Sequence, residues 1–158
     1  MPQERIQELL LIMLIKSFVY SLLISLLLSL TVYADALDEC IDAAKSFEFI
    51  KAPQLCEPLA EQGVAEAQFS LGYMYDYSRN YEPGVMWYKL AAEQGFAVAQ
   101  YNLGFMYESG HGVPEDDKQA VKWYRLAAEQ GYASAQSNLG VMYGNGNGVP
   151  EDNVLAYM

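Results

Sequence analysis

Few side chains in this sequence could perform chemistry, and none of them completes a catalytic or metal-binding pattern. The single histidine, His111, lies between two glycines and has no second histidine or nearby cysteine with which to hold a metal ion, so we expect a solvated loop residue. The serine pattern S-x-x-K, its companion K-T-G and the zinc motif H-E-x-x-H are absent. We therefore predict no catalytic residue, no metal site and no cofactor.

Two further segments could attract a charged ligand. The glycine-rich run at 144–148 could cradle a phosphate, but it follows a predicted helix rather than a strand, so a turn explains it. The acidic run Glu115-Asp116-Asp117 could hold a cation, but acidic side chains are also favoured at the start of a helix by its dipole. Both segments are explained more simply as parts of a helical framework.

The beginning of the chain predicts export. Lys16 precedes an uncharged, mainly apolar run that ends at Ala34, and Val32 and Ala34 are the third and the first residue before the predicted cut, where small or branched side chains are typical. Residues 1–34 are therefore predicted to be a signal peptide of a periplasmic or secreted bacterial protein. The alternative is an uncleaved membrane anchor, because the 26 residues from Leu9 to Ala34 carry one charge and are long enough to span a bilayer.

Two cysteines, Cys40 and Cys56, follow the export signal. An even number of cysteines in an exported chain favours a disulfide, because the compartment is oxidising. Their separation of 16 residues is compatible with two antiparallel helices joined by a turn. The alternative is two free buried thiols. We predict the disulfide, which would staple an N-terminal hairpin.

The charge of the chain excludes one class of partner. The formal net charge is −11, with 18 acidic and 7 basic side chains after residue 34. Such a chain is repelled by nucleic acids and by anionic membrane surfaces. We expect no nucleic-acid partner, and membrane contact only through an uncleaved anchor. The acidic side chains either keep the protein soluble or attract a basic partner.

Three segments of the chain repeat one pattern. Each begins with A-x-A-Q-x-x-L-G-x-M-Y, the first segment is 32 residues long and the second is 36. Periods of this size indicate an array of supersecondary units that bury their apolar faces against one another. Upstream, PLAEQG resembles the LAAEQG that ends both full repeats. The predicted units are a degenerate hairpin and three repeats, the last truncated, at 35–64, 65–96, 97–132 and 133–158.

Each unit is predicted to be a helical hairpin. In the second repeat, apolar residues with helical spacing form helix A, a glycine-rich turn follows at 109–114, and a second apolar stripe forms helix B. We expect Asp116 or Asp117 to cap helix B, Gly131 to be left-handed at its end, and Pro58 to bend or shorten helix B of the degenerate hairpin. A glycine inside each helix A implies a close approach of helix B, with Ala91 and Ala127 as the expected facing residues.

These patterns, together with G-x-G-V-P-E-D and W-Y-x-L-A-A-E-Q-G, resemble the Sel1-like repeats, relatives of the tetratricopeptide repeats. The resemblance implies an all-α fold, a right-handed α-solenoid of helix-turn-helix hairpins, here preceded by an N-terminal hydrophobic signal helix. It also implies a non-catalytic scaffold or adaptor that binds a protein or peptide. A cysteine-rich exported branch of the family is linked to β-lactam binding and hydrolysis, so binding or hydrolysis of β-lactams or cell-wall peptides is the alternative. This chain differs from that branch because its two cysteines lie in one hairpin.

The side chains between the framework positions of helix A vary from repeat to repeat. Each pair is spaced i, i+4 and therefore lies on one helix face. By resemblance to tetratricopeptide helices this face is concave, and the predicted binding residues are Phe69, Tyr73, Tyr101, Phe105, Ser137 and Val141. The alternative is that these rings pack between neighbouring repeats. Asn102 and Asn138 are expected to make structural hydrogen bonds to the adjacent hairpin; the alternative is that they hold the backbone of a bound peptide.

The chain ends inside the third repeat. Alignment of the V-P-E-D motifs places Met158 one residue before the position of Trp123. We interpret this as a truncated gene or a fragment, and alternatively as a short natural protein that pairs with a partner at this end. In both cases residues 144–158 are expected to be loosely held.

Overall fold

The computed structural model describes residues 2–152 and Ala156. Within that part of the chain the regular elements are helices, no strand occurs, and the chain divides into two compact units, residues 1–38 and 39–158. The helices are α1 (Pro2–Lys45), α2 (Lys51–Glu61), α3 (Ala65–Tyr77), α4 (Tyr81–Glu93), α5 (Ala97–Ser109), α6 (Asp117–Glu129) and α7 (Ala133–Asn145).

The first unit consists of the apolar part of α1. From Leu10 onward this helix is long and apolar enough to cross a membrane, by length and composition, and its apolar window is unburied. Four hydroxyl groups in it donate to carbonyl oxygens three residues earlier, at 2.8–2.9 Å; they belong to Ser21, Ser25, Ser29 and Thr31. The predicted apolar helix is therefore confirmed, whereas its role as a signal or an anchor stays a prediction.

The second unit is a row of helical hairpins, each built from a helix A and a helix B. The end of α1 and α2 form the N-terminal hairpin, α3 and α4 the next, α5 and α6 the third, and α7 is the helix A that follows. From α2 onward each helix packs on the next one in the chain. The apolar stripe predicted for the second repeat faces the core, since all four of its side chains are buried: Ala120, Trp123, Tyr124 and Ala127.

A disulfide closes the N-terminal hairpin, as predicted. It joins Cys40 of α1 to Cys56 of α2, with the Cα atoms 5.0 Å apart and both side chains fully buried. Pro58 lies inside α2, which spans 11 residues, whereas α4 and α6 each span 13. Because proline lacks the N–H that a helix interior uses, the predicted shortening of this helix has a direct physical cause.

Tyrosine rings explain the glycines inside the A helices. A Cβ atom at Gly72 would lie 2.5 Å from Cδ1 of Tyr88, and one at Gly104 would lie 2.7 Å from Cδ1 of Tyr124. Both distances are too short for a real contact, so only glycine lets helix B approach this closely. The close approach was predicted correctly. The facing residues were predicted wrongly, as Ala91 and Ala127.

The ends of α6 follow the predicted capping chemistry. Asp116 is the N-cap, and its carboxylate accepts hydrogen bonds at 3.0 Å from the backbone N–H groups of Lys118 and Gln119. Just beyond the C-terminus, Gly131 has a φ of +84°. A side chain is disfavoured in this left-handed conformation, so glycine allows the chain to turn into α7.

Paired glutamines connect consecutive hairpins. The side-chain amide of Gln68 donates to a carbonyl oxygen of α2 at 2.9 Å, and its Oε1 accepts from Gln94 at 2.7 Å. Gln100 repeats the arrangement with a carbonyl of α4 and with Gln130, at 3.1 and 2.7 Å. Gln68 and Gln100 are only 4% exposed, and buried amides with satisfied hydrogen bonds hold their neighbours in one register.

Only part of the C-terminal segment belongs to the described residues. Positions 144–152 and Ala156 are included, and there the N–H of Asp152 donates to the carbonyl of Tyr143 at 2.9 Å. Residues 153–155, 157 and 158 lie outside. The expectation that 144–158 is loosely held therefore stays a prediction.

Candidate binding surface

Six aromatic side chains form a continuous series in the N-terminal part of the second unit. Successive ring centroids are 6.0, 4.0, 5.9, 6.2 and 5.5 Å apart. In order, this aromatic series consists of Phe49, Tyr77, Phe47, Tyr73, Phe69 and Phe96. Three of the rings remain open to solvent, with exposed fractions of 48, 58 and 36% for Phe49, Tyr77 and Tyr73. Contiguous exposed apolar surface of this kind marks interaction sites on soluble domains.

The turn between α1 and α2 positions the centre of the series. Phe47 has a φ of +54°, a left-handed conformation that glycine adopts elsewhere in this unit and that costs a larger residue about 1–2 kcal/mol. The N–H groups of Phe47 and Glu48 donate to carbonyls in the last turn of α1, at 3.2 and 3.0 Å. The ring of Phe47 stacks on that of Tyr77 with centroids 4.0 Å apart. Backbone strain that the surroundings maintain is frequent at binding sites.

Part of the series forms the wall of an apolar pocket of about 430 Å³. The pocket lies between the end of α1, helix α3 and the turn before α5. Its lining consists of Ile41, Ala44, Lys45, Phe47, Glu66, Phe69, Ser70, Tyr73 and Phe96. Pockets that bind ligands typically measure about 300–1,000 Å³ and combine apolar walls with a few polar groups. This pocket has that size and that composition.

The predicted binding residues of the first two repeats lie at different depths. Phe69 and Tyr73 line the pocket, and Tyr73 is exposed. Tyr101 is half-buried, and its ring packs on those of Tyr124 and Tyr132 with centroids 5.6 and 5.1 Å apart. Tyr101 therefore packs between hairpins, which was the alternative interpretation for these rings.

The remaining predicted residues lie outside the pocket. Phe105 and Val141 are exposed to 41 and 60%. Ser137 is exposed, and its hydroxyl donates to the carbonyl of Ala133 in the same helix at 3.2 Å. Tyr73, Phe105 and Val141 occupy the same position in three successive A helices, so each repeat presents one exposed apolar side chain there. That these positions form a binding surface stays a prediction.

Buried tyrosine hydroxyls lie behind this surface and link neighbouring hairpins. The hydroxyl of Tyr124 donates to Glu108 Oε2 at 2.5 Å and accepts from Asn138 Nδ2 at 3.0 Å. Tyr88 makes the equivalent contacts with Asp76 and Asn102. The two asparagines therefore make the predicted structural hydrogen bonds, which leaves them less available to hold a bound peptide.

Burial shifts the pKa values of the two tyrosine hydroxyls and of one neighbouring carboxyl group. It raises the pKa of the Tyr88 and Tyr124 phenols well above the ordinary tyrosine value, and the neighbouring carboxylates raise it further. Burial also raises the pKa of the Asp76 carboxyl, although the hydrogen bond from Tyr88 and the field of His111 act in the opposite direction. Both phenols are therefore neutral donors at physiological pH.

The repeated helical frame identifies the family. A family model for the Sel1 repeat matches residues 65–96, 97–132 and 133–158. The chain belongs to the Sel1 repeat family. Its all-α hairpin fold is thereby confirmed, and its repeats are of the kind that generally mediates protein–protein interactions.

Two solved structures resemble this Sel1 repeat protein. One is a protective antigen present in uropathogenic Escherichia coli strains and displaying an SLR fold, with 35% identity and a TM-score of 0.70 over 81% of this chain. The other is a Sel1 repeat protein from Oxalobacter formigenes, with 37% identity and a TM-score of 0.60 over 66% of this chain. The chain spans 30 and 32% of the lengths of these two proteins. A search of curated proteins finds no match.

His111 of this Sel1 repeat protein lies in the turn, as predicted, but it is only partly exposed to solvent. Its ring stacks on Tyr81 at 4.3 Å with an interplanar angle of 9°, and its Nδ1 is buried without a hydrogen-bond partner among the described residues. The following Gly112 lies against the start of α4, where a Cβ would be 2.6 Å from the carbonyl carbon of Tyr81. The solvation of His111 was overestimated because the turn packs on the preceding hairpin, which local sequence does not reveal.

The other residues that could have performed chemistry have structural roles in the helical hairpins. Gly148 packs on the start of α6, where a Cβ would be 2.5 Å from the backbone of Asp117. This part of the glycine-rich turn therefore lies against a helix. Cys40 and Cys56 are joined to each other and present no thiol. Among the described residues, no group of three or more histidine, cysteine or acidic side chains is placed to hold a metal ion.

Sequence reasoning missed four members of the aromatic series: Phe47, Phe49, Tyr77 and Phe96. The first two lie in the degenerate hairpin, where no repeat alignment singles them out. Tyr77 and Phe96 lie at helix ends, outside the i, i+4 pairs that defined the predicted face. A usable signal was present in the segment SFEFI at 46–50, because two phenylalanines occupy a turn in which glycine or polar residues are usual.

Proposed function

We propose that this Sel1 repeat protein is a non-catalytic scaffold that binds a protein or peptide segment through the pocket and the exposed side chains of the following A helices. The observation that carries the proposal is the apolar pocket of about 430 Å³, which opens among partly exposed rings of the aromatic series. Apolar anchors that enter such pockets contribute most of the binding energy of protein interfaces.

The repeat geometry extends the proposed surface beyond the pocket. Tyr73, Phe105 and Val141 provide one exposed apolar side chain in each successive helix A. A peptide that places one side chain in the pocket can therefore contact the next two repeats in turn. The proposed surface consists of the predicted binding residues without Tyr101. The ring of Tyr101 packs on α6, so it contributes to the stability of the repeat rather than to contact with a peptide.

We further propose that the protein acts in the periplasm or outside the cell. The apolar helix α1 is compatible with a signal sequence or an anchor, and the Cys40–Cys56 disulfide suits an oxidising compartment. No observation favours the β-lactam alternative, and the Sel1 repeat family is generally non-enzymatic.

Selection from a random displayed peptide library tests the proposed function. The full chain, held in lipid nanodiscs because of its apolar helix, serves as the bait. Peptides that bind it should bind about tenfold or more weakly to the double variant Tyr73→Ala, Phe105→Ala, as expected for the loss of interface anchors. The matched control is Met86→Ala with Leu90→Ala, which removes two exposed apolar side chains from helix B, and it should leave binding unchanged.

Circular dichroism should give the same helix content for both double variants. If no peptide is enriched, or if the enriched peptides bind both double variants equally, this surface is not the binding site and the proposal is wrong.

A further inference from the structure

We infer that the pocket accepts a large apolar or aromatic side chain from a basic peptide segment. This inference rests on the proposed function and names the class of partner. It combines two observations, the packing of the rings around the pocket and the charge of the chain.

The ring geometry favours an inserted side chain over a flat ligand. Neighbouring rings of the series lie 4.0–6.2 Å apart and are stacked or tilted on one another, and the rings of Phe47 and Phe69 in the pocket lining are half-buried. A sugar ring that stacks on an aromatic platform needs an open face. The space enclosed by Phe47, Phe69 and Tyr73 instead suits the insertion of one bulky side chain.

The pocket offers few polar groups to a small hydrophilic ligand. The hydroxyl of Ser70 donates to the carbonyl of Glu66 in its own helix at 2.8 Å. A small polar molecule would lose its hydration on entry without enough hydrogen bonds in return. An apolar side chain loses no such bonds, and the backbone to which it is attached remains outside in water.

The net charge of the chain favours basic peptides over acidic ones. The chain carries a formal net charge of −11, so its field attracts cationic segments and repels acidic ones. Lys45 and Glu66 are the charged side chains on the lining, and neither forms an ion pair with another described residue. Glu66 is thus available to a lysine or arginine that flanks the inserted side chain. Lys45 would instead attract an acidic residue, but the net negative charge of the chain repels acidic peptides.

Synthetic peptides separate the apolar part of the inference from the electrostatic part. Four fluorescently labelled probes with the cores KKWKK, SSWSS, EEWEE and KKAKK are titrated with the full chain in nanodiscs made of uncharged lipid. Fluorescence anisotropy should give the tightest binding for KKWKK. Its advantage over EEWEE should be about tenfold or more at low salt, and should fall towards equality near 1 M salt, where the Debye length is about 3 Å.

Two single substitutions form the matched pair of this test. Glu66→Gln should weaken KKWKK several-fold, whereas Lys45→Gln should leave it unchanged or strengthen it. Tyr73→Ala should weaken every tryptophan probe and leave KKAKK unchanged. Empty nanodiscs of the same lipid should bind none of the probes.

The outcomes distinguish this inference from the proposed function. Binding of EEWEE equal to or tighter than that of KKWKK would overturn the basic partner while leaving peptide binding in place. Equal binding of KKAKK and KKWKK would overturn the inserted side chain. If no probe binds and the library selection also yields nothing, the proposed function fails together with the inference.

Discussion

The N-terminal hairpin and the hairpin formed by α5 and α6 hold their two helices together in different ways. In α5–α6 the ring of Tyr124 lies against Gly104, its hydroxyl is bonded to Glu108, and a capping carboxylate begins α6. The N-terminal hairpin has none of these features. It is closed by the Cys40–Cys56 disulfide.

The difference affects where the aromatic rings can lie. In α5–α6 the tyrosine of helix B is fully buried and serves the core. In the N-terminal hairpin no aromatic ring is buried: apart from the disulfide, its buried apolar side chains are Leu59 and the alanines Ala43, Ala44, Ala52 and Ala60. The disulfide closes this hairpin without a buried aromatic ring, and Phe47 and Phe49 lie in its turn, where they join the aromatic series. The same hairpin architecture thus supports packing in one region and a candidate binding site in the other.

Loss of a core tyrosine from the repeat should reduce stability the most. Tyr124→Ala should lower the free energy of unfolding by about 3–5 kcal/mol, because it leaves a cavity beside Gly104. Tyr77→Ala, which removes an exposed ring of the aromatic series, should cost about 1 kcal/mol. Urea unfolding followed by tryptophan fluorescence compares the two. Equal losses would mean that the aromatic series is as much a core as the repeat is.

Removal of the disulfide should have the next largest effect, and it should be local. The double variant Cys40→Ala, Cys56→Ala should lose about 2–4 kcal/mol, because the loop that the bond closes gains entropy when unfolded. Hydrogen exchange should accelerate in α2 and remain unchanged in α5 and α6. Equal acceleration in all three helices would contradict the independence of the two regions.

A methyl group added at the tyrosine contact should destabilise the protein less than loss of the disulfide does. The same change at a glycine without this contact should not destabilise it. Gly104→Ala should lower the free energy of unfolding by about 1–3 kcal/mol, because its Cβ would lie 2.7 Å from the ring of Tyr124. The control is Gly144→Ala in α7, where the nearest atom, Cβ of Ala156, is 3.4 Å away. The control should be neutral or slightly stabilising, since alanine is the better helix former. A neutral Gly104→Ala would show that the ring can move aside.

The smallest changes in stability are expected at two residues with a left-handed backbone conformation, Phe47 and Gly131. Phe47→Gly relieves about 1–2 kcal/mol of backbone strain and loses ring contacts of similar value, so stability should change by less than about 1 kcal/mol. Gly131→Ala introduces strain at φ +84° with no atom within 4 Å to compensate, and should cost about 1 kcal/mol. Phe47→Gly should nevertheless weaken the binding of the KKWKK probe. Unchanged binding would remove Phe47 from the site.

Local and periodic features of the sequence predicted the frame well. The helical hairpins, the Asp116 cap, the left-handed Gly131 and the disulfide depend on spacing and on short-range chemistry, which can be recognised without a structure. The candidate site was predicted only in part. Phe69 and Tyr73 were found because they interrupt a repeated pattern, whereas Phe47 and Phe49 lie in a hairpin that hardly repeats it.

The amino-acid sequence was enough to predict a row of Sel1 repeat hairpins with an apolar N-terminal helix, because repeated apolar positions at helical spacing can bury themselves in few other ways. Three features became visible only in the folded chain: a tyrosine rather than an alanine faces Gly104, His111 stacks on the preceding hairpin, and six rings from separate segments meet beside one pocket. These outcomes depend on which side chains of different helices come within contact distance, and that distance is set by the packing of whole hairpins.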